Sequence, residues 1–137
     1  MKRTILVFAA IVLAVALIMT IGIWVIGRKP FKDMQVEDIK SVSIHLWPPN
    51  ETRELNRDEI EVLVLLLQQV EIHHPTWMHH ASGGQSNVMT IIFQDGSVKK
   101  VNQFGSILII DGIGYRAKYE PNEALNQFAN KLFNTGF

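Results

Sequence analysis

Residues 4–26 read TILVFAAIVLAVALIMTIGIWVI, an uncharged and almost wholly apolar run with Lys2 and Arg3 before it and Arg28 and Lys29 after it. At about 1.5 Å of rise per residue such a helix covers roughly 35 Å, enough to cross a hydrocarbon core of about 30 Å with some tilt. The run divides the chain into a membrane anchor over residues 1–29, a short juxtamembrane connector over 30–38 and a single domain over 39–137. A cleaved secretory signal is the competing reading, since Ala14-Val15-Ala16 has the form of a cleavage site. Cutting there would leave Leu17 through Ile26 as an apolar stub, so the reading favours an uncleaved span. Trp24 stands where an interfacial aromatic is expected. Ala10 and Ala14 offer a small-residue face for a second helix.

The basic side chains at the two ends of the span nearly balance. A basic N-terminus directly ahead of a first span still resembles a signal anchor that keeps its N-terminus in the cytoplasm, which places the domain outside. No cysteine is present, so disulfides contribute nothing in either compartment. From Phe31 onward the chain carries nine basic and thirteen acidic side chains, a net charge of −4. That balance argues against a nucleic-acid partner, which calls for clustered Lys and Arg.

In the connector, Pro30 stops the helix, and Lys32, Asp33, Glu37 and Asp38 keep the chain solvated near the headgroups. From Ile39 to Trp47 apolar and polar residues alternate, with Val42, Ile44 and Leu46 on one face, as in a half-buried strand. Pro48-Pro49-Asn50 ends it, and a short run around Thr52 to Leu55 can return as its partner. Asn56 with Glu59 three residues later has the form of a capping box, so a helix is predicted from about Arg57 to Val70. Its buried stripe is Ile60, Leu63, Val64, Leu67 and Val70. The stretch from Ile72 to Asn87 has neither period and reads as a long loop.

Val88 to Phe93 reads as a central strand. Asp95-Gly96 then turns into Val98 to Phe104, with Phe93 opposite Val98 if the loop has two residues. Lys99 and Lys100 suit an edge strand. A second hairpin joins Ile107–Ile110 to Ile113–Tyr115 through Asp111-Gly112, pairing Ile110 with Ile113 and Leu108 with Tyr115. Pro121 suits the first residue of a last helix, in which Leu125, Phe128, Ala129 and Leu132 form one stripe. The expected fold is α+β: a transmembrane helix, then a small, mainly antiparallel sheet with two packed helices, in the order β-β-α-β-β-β-β-α.

Several segments, Phe31-Lys32-Asp33-Met34, Val36 to Val42, Pro48-Pro49, Gly84-Gln85 and Asp111 to Pro121, together resemble an uncharacterised domain family of Firmicutes. That family is also similar to C-terminal extensions of the zinc-peptidase receptors that sense β-lactams. The resemblance covers nearly all of residues 31–137. It implies an extracytoplasmic accessory or sensory domain and transfers no catalytic residue. The chain departs from the family at Asn122, where Cys is common, and in its His-rich loop.

His73, His74, His79 and His80 are the candidate metal ligands, since imidazoles suit zinc, copper or nickel. Their place on a loop opened by Gly83 and Gly84 speaks more for an exposed surface than for a built site. Ser82, Ser86, His79 and Asp95 lack the context of a nucleophile and its base, so a hydrolase is the remote reading. Glu71, Asp95 and Asp111 have simpler roles than a glycosidase pair. Neither Gly83-Gly84 nor Gly112-x-Gly114 opens a phosphate-binding helix, and no cofactor motif is present. Trp77, Met78 and Gln85, on the long loop, are the candidate interface residues. The expected function is a membrane-anchored, extracytoplasmic, non-catalytic domain that binds a protein, peptide or envelope ligand. A metal-binding accessory protein is the alternative.

Overall fold

A computed structural model describes residues 1–78 and 84–134, with backbone alone over 23–25, which include Trp24. Helix α1 spans Lys2–Ile26. It is long and apolar enough to cross a membrane, a property that signal sequences share. The remaining elements are β1 (Ile39–Trp47), β2 (Glu51–Glu54), α2 (Arg57–Gln69), β3 (Ile72–Pro75), β4 (Ser86–Phe93), β5 (Val98–Phe104), β6 (Ile107–Ile110), β7 (Ile113–Ala117) and α3 (Tyr119–Asn134). The seven strands form one sheet in the order β2-β1-β4-β5-β6-β7-β3, and every pairing in it is antiparallel. The α+β class is as the sequence implies.

One face of the sheet carries Val42, Ile44, Leu46, Met89, Ile91, Val101 and Leu108, all buried together with the apolar stripes of α2 and α3. Helix α2 starts beside β1, where Arg57 donates to Ile39 O at 2.9 Å, and ends beside β3. Helix α3 runs the other way, from the end of β7 toward β2, where Arg53 Nη1 donates to Leu132 O at 2.8 Å. The Asn56 capping box forms as expected: Asn56 Oδ1 accepts from Glu59 N and Glu59 Oε1 accepts from Asn56 N, each at 2.9 Å. Glu59 itself is buried, and Arg53 Nη2 stands 2.8 Å from its Oε2. That approach is ionic, since the oxygen has no donor aligned for a hydrogen bond.

The hairpin through Asp111-Gly112 has the expected register, Ile110 with Ile113 and Leu108 with Tyr115. Asp111 at φ 48 and Gly112 at φ 88 both take the left-handed conformation that such a turn requires. A Cβ on Gly112 would meet nothing within 4 Å, so the glycine is needed for its backbone freedom alone. Gly112→Val is expected to destabilise the protein by about 1–3 kcal/mol, because a β-branched residue tolerates this φ badly. Thermal unfolding measures the loss, and an unchanged melting temperature would contradict the turn.

Four expectations are corrected. Ile72–Pro75 is a strand rather than part of a loop, so the sheet gains a member and His73 and His74 belong to its edge. Four residues with no alternation give no strand signal, and Pro75 is tolerated because the strand is at the edge. In the β4–β5 hairpin Ile92, not Phe93, faces Val98. Phe93 N donates to Ser97 O and Gly96 takes φ 87, which adds a residue to the loop. This register sets Val101 against Met89 on the buried face, where the two-residue loop would have misaligned them. Strand β5 is interior rather than an edge. Its lysines are accommodated because Lys99 pairs with Asp111 at 3.4 Å and Lys100 is exposed. Helix α3 begins at Tyr119, so Pro121 lies inside its first turn.

Candidate functional site

The connector is built into the domain. Arg28 and Ile72 exchange two backbone hydrogen bonds of 2.8 Å, extending the sheet by one residue beyond β3. The Arg28 guanidinium lies 5.5 Å from the centre of the Tyr115 ring, a cation–π contact. Gly27, at φ 75, brings the end of α1 against Glu71 and His73, and a Cβ there would stand 3.0 Å from Glu71 Oε1 and 2.9 Å from His73 Cε1. Phe31 is only 3% exposed and belongs to the core. Beyond it Gln68 Nε2 donates to Met34 O, Arg57 Nη2 to Val36 O and Gln94 N to Asp38 O. The charged residues Lys32, Asp33, Glu37 and Asp38 are exposed, as the sequence implies. The burial of Phe31 between them is not visible in the sequence, because one apolar residue in a polar run has no period.

Between this connector and the β4–β5 turn lies a recess of about 450 Å³, within the range of roughly 300–1,000 Å³ typical of ligand pockets. Pro30, Phe31, Met34 and Phe93 supply apolar walls, and Asp33, Asp38 and Asp95 stand around it with Lys99. Asp95 accepts from Ser97 Oγ at 2.6 Å and from Ser97 N at 2.9 Å. Those bonds, the hydroxyl first, hold its carboxyl below the usual aspartate range.

The candidates named by the sequence lie elsewhere. Trp77 is 94% exposed. Its segment is laid against β7 by Thr76 N, which donates to Gly114 O, and the Met78 carbonyl occupies the space where a side chain at position 114 would be. Gly114 thus permits a close backbone approach. Gln85 is committed to the fold: it exchanges hydrogen bonds of 3.1 and 2.8 Å with Asn130 and donates to Pro48 O. Trp77 is thus open to solvent and Gln85 is held by the fold, while residues 79–83 between them lie outside the described residues.

His73 Nε2 stands 3.7 Å from Glu71 Oε1, and His74 Nδ1 lies 3.2 Å from Pro75 O. His79, His80 and Ser82 are outside the described residues. Among the described residues no three His, Asp or Glu side chains gather in a way that could hold a metal ion. Ser86 donates to Asn102 Oδ1 at one end of β4, and Asp95 lies past the other end. An eight-residue strand is about 26 Å long at roughly 3.3 Å per residue, so these two do not meet.

The sequence reading also missed a layer of carboxamides beneath α3. Asn87 donates to Leu125 O, and Gln103 and Asn122 both donate to Gly105 O. All three side chains are buried. Asn122 ties α3 to the β5–β6 turn.

Compared with family models, curated proteins and solved structures, the chain finds no match.

Proposed function

We propose that the protein is a membrane-anchored, extracytoplasmic, non-catalytic binding domain of an accessory or sensory kind. The observation that carries the reading is the joint: the chain leaves α1 and enters the sheet and core at once, through the Arg28–Ile72 pair and buried Phe31. A domain joined without a slack tether keeps a fixed relation to its anchor, which suits a part that reports or presents a ligand at a membrane surface. The apolar-walled recess beside the joint supplies a place for that ligand. The likeness to the Firmicutes extensions points the same way and belongs to this proposal.

In intact cells stripped of their outer wall, added protease is expected to digest the domain, and a species lacking residues 1 to about 25 is not expected to accumulate. Full protection would put the domain on the other side of the membrane. Accumulation of the shortened species would make α1 a cleaved signal.

A further inference from the structure

We propose that the recess beside the connector binds a polypeptide segment carrying a basic side chain next to an aromatic or aliphatic one. This deepens the binding-domain reading and rests on it only for the side of the membrane on which the segment would be met. Two features of the recess select the occupant. Its walls are Pro30, Phe31, Met34 and Phe93, which reward an apolar group that leaves water. Its rim carries Asp33, Asp38 and Asp95 against one cation, Lys99, and Lys99 is itself paired with Asp111.

Asp33 and Asp38 are exposed and have no ion pair among the described residues. Their carboxylates are available to a guanidinium or ammonium from outside. Phosphate groups, anionic headgroups and nucleic acid meet like charge here. A bare metal ion gains nothing from the apolar walls. Gln35, also on the rim, carries a carboxamide that matches peptide groups, while Gln94 Nε2 is held by Ile39 O. Since Pro30 to Asp38 is the segment leading from α1, an occupant would bridge that segment to the β4–β5 turn and fasten the joint.

The test uses the full chain in nanodiscs of neutral phosphatidylcholine, with empty nanodiscs as the reference. Three capped tetrapeptides serve as probes: acetyl-Phe-Arg-Phe-Arg-amide, its acidic counterpart acetyl-Phe-Glu-Phe-Glu-amide, and acetyl-Gly-Arg-Gly-Arg-amide, which keeps the charge without the rings. The first is expected to bind at least about tenfold more tightly than either of the others, a difference of about 1.4 kcal/mol. The double variant Asp33→Asn, Asp38→Asn is expected to lose that preference while its melting temperature stays unchanged, since both side chains are solvent-exposed.

Equal binding of the acidic peptide, or full retention of the preference in the double variant, would overturn the proposal. So would absence of binding by all three. A domain found outside the membrane that ignores the basic peptide would refute the occupant and leave the anchored binding domain standing. Peptide binding by a domain found on the cytoplasmic side would keep the occupant and refute the extracytoplasmic placement.

Discussion

Phe31→Ala is expected to destabilise the domain by about 3–5 kcal/mol, the cost of emptying a buried aromatic site that neighbours refill only in part. Against a total stability of about 5–15 kcal/mol the loss is large. The effect is informative because position 31 precedes every strand of the domain and would be silent if residues 30–38 were a linker. Phe31 instead packs with the stripes of α2 and the sheet, so its removal should loosen the joint as well as the core. Denaturant unfolding of the full chain in detergent measures the loss. Protease cleavage between Arg28 and Val36 should accelerate in parallel. A variant as stable as the parent would show that the connector is a tether and would remove the main support for the proposed function.

Arg53→Ala is expected to cost about 2–3 kcal/mol, below the roughly 3–5 kcal/mol of a fully buried pair because solvent reaches the guanidinium. From β2, Arg53 clasps two helices, meeting Glu59 on α2 and Leu132 O on α3. Its removal leaves the Glu59 carboxylate, 4% exposed, without its ionic partner. Glu59→Gln retains an oxygen for the Asn56 N–H and removes the charge. The double variant Arg53→Ala, Glu59→Gln should therefore be more stable than the sum of the two single losses implies. Strict additivity in chemical denaturation would mean that Arg53 acts only through Leu132 O and packing.

What the sequence by itself determined is what adjacent residues enforce on one another. An uncharged run of this length makes α1 long and apolar enough to cross a membrane whatever follows it. Asn56 and Glu59 satisfy each other's backbone within one turn, which places the start of α2. Asp111 and Gly112 allow the left-handed turn, and period-two alternation then dictates which residues of β6 and β7 face each other. Each of these is a local rule with a local signature.

The tertiary structure decided the rest, because the deciding contacts lie far apart in the chain. Strand β3 exists because β7 and Arg28 offer it hydrogen bonds on its two sides, not because Ile-His-His-Pro favours extension. The β4–β5 register follows from matching Val101 to Met89 under the helices, which outweighs the shortest loop that Asp95-Gly96 permits. Phe31 is a core residue only because α2 and the sheet leave a site for it. The recess has no sequence signature at all: Pro30, Phe31 and Met34 meet Phe93 and Asp95 across some sixty residues of chain. A pocket is a property of surfaces brought together, and burial of apolar side chains brings them together without regard to their order in the sequence.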